Sequence, residues 1–540
     1  MRGHPSPQHD LEEGTTEGTG IAVGGNSQPG KDFDAEYLAR VAWFPDGRLS
    51  VQVQDRRQQR LRLYECHVSG QGATPAGGAS TARNRILLEE KSDVWQNLNN
   101  GFKPLRTAGA RSGGGSVGGG GGSHPTLAKI PGGFVWASER DGFRHLYLHR
   151  RDGSCVGQLT KGPYVVDALE GVDEASGNVY FTATAESELE RHLYCVSLLP
   201  LLGGGRDVST ADMPGLPKPR RITTQPGIHN VLIDPHFEAF VDIHDHLDAP
   251  PEIFLRSLSD GTAQCVLHKG AISEYDERLD EMDASPPELV MIQAKDGTTL
   301  HGAVYKPDPE VYGEGPYKTL VSVYGGPHVQ MVSRAWIMTV DMRAQLFRAK
   351  GYLIFKLDNR GSARRGLAFE GRIKHRMGSV EVDDQVCGVN WLVAKGLADP
   401  ARVGIYGWSY GGYMSAMALA KAPDVFKAAV SGAPVTSWDG YDTHYTERYM
   451  GLMDENSKGY HESSVMSNVH TIKGKLFLIH GMIDENVHFR HTVRLINALN
   501  NASVRYDLLI FPGERHMPRG LQDRIYMEKR ILRFFGEALA

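Results

Sequence analysis

Gly407-Trp408-Ser409-Tyr410-Gly411 sets a serine between two glycines, after an apolar run over 402–406 and before a small-residue run over 412–422. That order predicts a strand, a sharp turn and a helix. The Ser409 hydroxyl would be lifted off the backbone, and Gly407 and Gly411 would supply space that a Cβ would otherwise fill. A serine held this way can attack a carbonyl once a base takes its proton. The helix behind it would aim free N–H groups and its positive dipole end at the oxyanion that forms. In a chain with 63 glycines the pentapeptide alone is a weak signal, since an ordinary Gly-rich turn also matches it.

The residues downstream strengthen it. In an α/β-hydrolase sheet an acid and then a histidine follow the serine, each on a loop at the end of a later strand. The run over 475–480 predicts a buried strand, and the loop Gly481-Met482-Ile483-Asp484-Glu485-Asn486 leaves it, which makes Asp484 the candidate acid and Glu485 its competitor. The run over 505–511 predicts the next strand and leads into Pro512-Gly513-Glu514-Arg515-His516. His516 is the candidate base. One histidine among 22 means little by itself, but this one falls between a strand end and a last helix predicted over 521–539.

The chemistry these three residues support is acyl transfer. His516 would accept the Ser409 proton, Asp484 would hold the imidazole in the right tautomer, and the leaving amine would take the proton. The oxyanion needs two donors. The backbone N–H of Tyr410 is one, and the second must come from the loop after an earlier strand. That strand is predicted over 319–323, and its loop reads Tyr324-Gly325-Gly326-Pro327-His328. The Tyr324 phenol could supply the second donor or simply pack at the strand end.

Taken together, Val323-Tyr324-Gly325-Gly326-Pro327, Asp358-Asn359-Arg360-Gly361-Ser362, the elbow with Gly412-Tyr413, Tyr445-Thr446-Glu447-Arg448-Tyr449-Met450-Gly451 and His480-Gly481-Met482-Ile483-Asp484-Glu485-Asn486-Val487-His488-Phe489 resemble the prolyl oligopeptidase superfamily. Within it the match is to the dipeptidyl peptidase IV group, and the wording around Asp484 and His516 is most similar to its cytosolic branch, dipeptidyl peptidases eight and nine. The resemblance covers residues 285–540. It implies that Ser409, Asp484 and His516 are the catalytic residues and that Tyr324 is an oxyanion donor. It also implies a proline-accepting pocket of Tyr410, Val435, Trp438, Tyr441, Tyr445 and Val487, with Asn486 contacting the substrate carbonyl. A flat apolar ring is well held between aromatic faces, although the spacing at 438, 441, 445 and 449 is also that of a helix's core stripe. Asp358-Asn359-Arg360, Glu447 and Arg448 are expected to be structural charges that buttress strand ends and pin the pocket segment.

The family grips a substrate's free amino terminus with two adjacent glutamates on its N-terminal β-propeller, and here the chain departs from the pattern. Its two Glu-Glu pairs, Glu12-Glu13 and Glu89-Glu90, lie in segments that do not match that arm. The N-terminal half does repeat. Strands are expected at 61–64, 144–147, 191–194 and 252–255, each preceded by another at 41–44, 134–137, 179–182 and 239–243. The second and third repeats are 47 positions apart, close to the roughly 40–50 residues of a propeller blade. This gives a disordered low-complexity head over 1–33 and a partial β-propeller of four or five blades over 34–284, with a Gly-rich insertion near 112–123 and a weaker one over 203–221. A doubly wound, mostly parallel α/β-hydrolase domain follows over 285–540. The family's propeller has eight blades, within the range of about 4–8 for such rings. An open half ring leaves blade faces and edge strands uncovered. A truncated gene model, a short isoform, and an open domain completed by dimerisation all remain open explanations.

Composition agrees with this reading. The 540 residues allow two domains, and 40% hydrophobic content allows sizeable cores. A net charge of −5 argues against a nucleic-acid surface. The cysteines Cys66, Cys155, Cys195, Cys265 and Cys387 are odd in number and unclustered, so neither a disulfide framework nor a zinc site is expected. No metal or other cofactor is expected. The start lacks an apolar signal segment, and no run of 18 apolar residues occurs, so a reducing, cytoplasmic compartment fits and no membrane partner is expected. The expected partners are short peptides with Xaa-Pro amino termini, and the resemblance allows a homodimer. The expected activity is a serine exopeptidase releasing N-terminal dipeptides with Pro or Ala in the penultimate position. The alternatives are an acylaminoacyl- or oligopeptidase of the same superfamily, or a truncated, catalytically weak interaction protein.

Overall fold

The computed structural model describes residues 34–66, 84–106, 124–203, 218–270 and 284–540. The low-complexity head and the Gly-rich insertion lie outside them.

The N-terminal part forms four four-stranded antiparallel sheets. The first contains β1 (Ala35–Trp43), β2 (Leu49–Asp55), β3 (Arg60–Cys66) and β4 (Asn84–Lys91), and the second β5 (Phe102–Pro104), β6 (Phe134–Ser138), β7 (His145–His149) and β8 (Cys155–Gln158). The third contains β9 (Val166–Asp173), β10 (Asn178–Ala183), β11 (His192–Ser197) and β12 (Arg220–Arg221). The fourth contains β13 (Ile228–Ile233), β14 (Ala239–Asp245), β15 (Glu252–Ser257) and β16 (Ala263–His268). They stack in series. Leu61, Leu63, Phe134 and Trp136 join the first sheet to the second. Val135, Leu146, Val179 and Phe181 join the second to the third, and Tyr180, Leu193 and Phe240 join the third to the fourth. No apolar cluster among the described residues joins the fourth sheet back to the first. Leu38, Val41 and Trp43 on β1 and Val266 and Leu267 on β16 stand exposed.

One expected pairing needs correction. The strand directly before 61–64 is β2, not the stretch over 41–44, whose residues fall mostly in β1. β2 buries Ser50, Gln52 and Gln54 and leaves Leu49, Val51 and Val53 half-buried. Hydrogen bonds offset part of the cost of this inverted strand: Ser50 Oγ donates to Ala42 O at 2.8 Å and Gln54 Nε2 to Gln96 O at 3.0 Å, while Gln54 Oε1 has no partner among the described residues.

The C-terminal part is built on one eight-stranded sheet, in the order β17 (Glu288–Gln293), β18 (Thr299–Tyr305), β20 (Tyr352–Asp358), β19 (Tyr317–Ser322), β21 (Ala398–Trp408), β22 (Ala428–Gly432), β23 (Lys475–Gly481) and β24 (Tyr506–Phe511). β17, β18 and β20 pair antiparallel, and every pairing from β20 onward is parallel. β20 is buried along its whole length, as a strand covered on both faces must be. Alternate residues feed two cores. Val321, Leu353, Phe355, Val403 and Ile405 pack with α1 (Val380–Ala394) and α2 (Tyr410–Lys421), while Leu320, Ile354, Tyr406 and Phe477 face Met527, Ile531 and Phe535 of the last helix, Leu521–Ala538.

Candidate active site

The strand-to-helix turn sits at the C-terminal end of β21. Ser409 takes φ 61° and ψ −118°, α2 starts at the next residue, and the Ser409 N–H donates to Gly432 O at 2.8 Å. A Cβ at Gly407 would lie 2.3 Å from Val323 O, and one at Gly411 2.2 Å from the same oxygen. Both positions therefore exclude a side chain, and the end of β19 is pressed against the serine turn. The Tyr410 N–H falls in the first turn of α2, where no intrahelical acceptor exists. The helix begins two residues earlier than the sequence suggests because the turn is completed within Ser409 itself.

Asp484 and His516 meet across the loops that leave β23 and β24. His516 Nδ1 lies 2.7 Å from Asp484 Oδ2. Met482 N–H donates to Phe511 O at 3.0 Å and Ile483 N–H to Glu514 O at 3.2 Å, which ties the two loops together. The Asp484 carboxylate is buried and fully engaged. Oδ1 accepts the N–H groups of Asn486 and Val487, both at 2.9 Å, and Oδ2 also accepts from His480 Nε2 at 3.1 Å. Burial alone would raise its pKa, but the bonds from His480 and His516 and the Asn486 N–H hold it well below the usual carboxylate range. The carboxylate of the competitor, Glu485, is exposed and bonded to Arg515.

The aromatic residues of the expected pocket come together against the same core as α2. Trp438 stacks on Tyr445 at 6.0 Å and meets Tyr410 at 5.5 Å, and Tyr441 meets Tyr445 edge-on at 5.3 Å. Val435 and Val487 are buried beside them. Tyr445 is carried by α3 (Thr443–Met450), started by the Asp442 side chain accepting the Tyr445 N–H at 2.7 Å. The Asn486 side chain accepts from Tyr441 OH at 2.9 Å. Tyr324 tilts toward Tyr410 with 5.9 Å between ring centres. Burial raises the Tyr324 phenol pKa, so the group keeps its proton and stays a donor. Its loop is pinned on both sides: Asn359 Nδ2 donates to Gly325 O at 2.9 Å, and the His328 ring is bonded to Tyr449 OH.

The charged residues around the pocket brace it. Arg360 forks onto Asp384, and Asp358 accepts the Met331 and Val332 N–H groups at 2.6 and 3.0 Å. Glu447 takes both arms of Arg56 at 2.7 and 2.9 Å, and Arg448 donates to Gln58 Oε1 at 2.6 Å. Arg56 and Gln58 lie in the β2–β3 turn, so the first sheet grips the pocket helix directly. The Glu89–Glu90 pair is committed elsewhere, Glu89 to Arg60 and Arg62, and Glu90 to Trp136, Ser138 and Arg140. Glu12-Glu13 lies outside the described residues.

Three contributors escape the sequence reading. His480 shares Asp484. Trp408 Nε1 donates to His516 O at 2.6 Å. Glu381, buried under the elbow, accepts from Tyr410 OH at 2.7 Å and from the Gly378 and Ser379 N–H groups. His480 and Trp408 lie inside quoted motifs and could have been found there, whereas no sequence signal marks Glu381.

Residues 338–540 match the sequence model of the prolyl oligopeptidase family, and residues 10–251 match that of the dipeptidyl peptidase IV N-terminal region. The chain belongs to the prolyl oligopeptidase family. Among its relatives, Dipeptidyl peptidase 8 of Homo sapiens is 34% identical over 550 residues, covering 93% of this chain and 57% of that protein. Probable dipeptidyl-aminopeptidase B of Aspergillus terreus is 31% identical over 399 residues, or 73% of this chain and 41% of the relative. Among solved structures, dipeptidyl peptidase 4 of Porphyromonas gingivalis superposes with a TM-score of 0.76 at 26% identity, over 93% of this chain and 64% of that one. A putative dipeptidyl aminopeptidase IV of Bacteroides ovatus gives 0.75 at 27%, over 93% and 66%. This family member thus spans 57% of the length of its human relative. Among the described residues no helix is long and apolar enough to cross a membrane.

Proposed function

We propose that this chain is a serine exopeptidase that releases N-terminal dipeptides, preferring Pro or Ala in the penultimate position, by acyl transfer through Ser409, His516 and Asp484. Ser409 Oγ attacks the substrate carbonyl as His516 takes its proton, and Asp484 stabilises the imidazolium. The Tyr410 N–H and the Tyr324 hydroxyl hold the oxyanion. The proton then passes to the leaving amine, and water repeats the sequence on the acyl-enzyme. Tyr410, Val435, Trp438, Tyr441, Tyr445 and Val487 form the pocket for the proline ring, and Asn486 faces the substrate carbonyl. The observation that carries this reading is the 2.7 Å contact of His516 Nδ1 with a buried, fully hydrogen-bonded Asp484, on loops beside the serine turn. Substrates are short peptides, because sheets packed over the pocket helix limit access.

A second reading, an oligopeptidase or acylaminoacyl peptidase, is favoured by one observation. Glu89 and Glu90 are both bound to neighbours within the N-terminal sheets, so neither is free to anchor a substrate amine. Hydrolysis of a fluorogenic Ala-Pro amide with a free and with an acetylated amino terminus, using Ser409→Ala as blank, separates the two. Preference for the free amine supports the dipeptidyl reading. Preference for the acetylated substrate supports the second, and no Ser409-dependent turnover of either refutes both.

A further inference from the structure

The fourth sheet holds a group of side chains that peptide hydrolysis does not use. β14 ends with His244 and Asp245, His246 is the first residue past it, and Glu252 opens β15 directly across the ladder from His244. Directly opposed residues on neighbouring strands share a face of the sheet, so His244 and Glu252 do. One ligand atom from each of His244, His246 and Glu252 lies within 4.8 Å of the others.

His244 singles out this cluster. The residue is only 4% exposed. Its Nε2 lies 3.0 Å from Pro226 O, an acceptor only, so Nε2 carries the proton and Nδ1 presents a bare lone pair. That Nδ1 is buried and has no hydrogen-bond partner among the described residues. An imidazole with one N–H on a backbone carbonyl and the other nitrogen free is the arrangement in which histidines bind metal ions. His229 stacks behind it at 4.6 Å, with its own nitrogens committed to Asp242 and to Gln225 O. His246 Nδ1 accepts a 3.3 Å hydrogen bond from the Asp248 N–H and lies 3.8 Å from the exposed Asp248 carboxylate, contacts that an ion could replace.

We propose that His244, His246 and Glu252 bind a divalent transition-metal ion, zinc first among them, leaving one position for water. Two imidazoles and a carboxylate are a donor set zinc accepts, and a tetrahedral ion would draw the ligand atoms to about 3.4 Å from one another. His246 and Glu252 are partly exposed and free to make that adjustment. The ion's role is structural. The segment between the ligands seats on the catalytic part: Leu247 is buried with Val332 and Met338, Thr339 Oγ1 donates to Leu247 O at 2.6 Å, and Asp245 Oδ1 accepts the Trp336 N–H at 2.6 Å. A bound ion would lock both ends of this segment and so fix the fourth sheet against the hydrolase sheet.

The test uses the full chain, stripped with a chelator and then dialysed. Zinc chloride is titrated by calorimetry, and thermal unfolding is followed with and without zinc. Cobalt(II) absorption reports coordination geometry. His246→Ala and Glu252→Gln are measured beside the parent, and the second is nearly isosteric, so it serves if the first fails to fold. The expected result is one saturable zinc site per chain, a tetrahedral cobalt spectrum and a higher melting temperature with zinc. In the variants, binding should weaken at least about tenfold and the zinc-dependent shift should vanish, with metal-free folding kept. No saturable binding by the parent chain, or binding and a shift that survive in both variants, overturns the proposal.

Discussion

The indole Nε1 of Trp408 donates to the main-chain carbonyl of His516 at 2.6 Å, so the residue before the proposed nucleophile holds the backbone of the proposed base. The elbow and the histidine loop are thereby one unit, although they are 108 positions apart. A Cβ at Gly432 would lie 2.0 Å from the indole ring, so that glycine makes room for it.

Trp408→Phe keeps an aromatic ring near Gly432 and removes the donor together with part of the ring volume. Losing one hydrogen bond of about 1–1.5 kcal/mol corresponds to about a tenfold loss of rate if the bond holds His516 in its reactive position. We expect kcat on an Ala-Pro amide to fall about tenfold with KM little changed. An equal rise in KM, or loss of folded protein, would instead assign Trp408 a packing role.

Tyr324→Phe tests the oxyanion assignment. The Tyr324 hydroxyl has no protein partner among the described residues, so its removal leaves nothing unpaired and folding should be unaffected. Loss of one oxyanion donor typically costs about 100- to 1,000-fold in kcat. Steady-state kinetics should show that fall at near-constant KM, and a change below about threefold would remove Tyr324 from the reaction.

The order of the candidate site was legible because Ser409, Asp484 and His516 each follow an apolar strand, and parallel strands bring their C-terminal loops to one edge. The bracing around it was not. The Arg448–Gln58 bond joins residues 390 positions apart, and nothing in either segment announces the other. β2 was missed for a different reason: its inward face is Ser50, Gln52 and Gln54, so apolar alternation points the wrong way. The three histidine and glutamate residues of the fourth sheet were hidden among 22 histidines until strand pairing set Glu252 opposite His244.

The grip of the β2–β3 turn on α3 makes two unequal predictions. Arg56 is half exposed, with 53% of its side chain accessible, so solvent screens its ion pair with Glu447 and Arg56→Ala should change KM less than about threefold. Gln58 is buried, and it both accepts from Arg448 and donates to His444 O at 2.5 Å. Gln58→Ala takes the Nε acceptor from the buried Arg448 guanidinium, which keeps only long contacts with His328 and His444, a cost of about 1–3 kcal/mol. It should loosen the helix carrying Tyr445 and raise KM for Ala-Pro substrates about tenfold. Equal effects from both variants would contradict the ranking.

The carboxyl pair bridged by Asn97 between the second sheet and the hydrolase part predicts a pH dependence. Asn97 Nδ2 reaches Glu139 Oε1 at 3.3 Å and Glu370 Oε2 at 3.0 Å. Burial first, and the charge of Glu139 second, push Glu370 up from 4.5 to about 7. Across that window the folded chain holds more protons at this site than the unfolded chain, so its contribution to stability falls as pH rises from about 4.5 to about 7 and is level above. Glu370→Gln keeps the shape and cannot ionise, and it also relieves Glu139 of a like charge. We expect the variant to melt about 1–3 °C above the parent at pH 8, with the gap closing as pH falls below about 5. Melting curves at several pH values check this. A gap that stays constant across the range would mean that the substitution acts through packing rather than through charge.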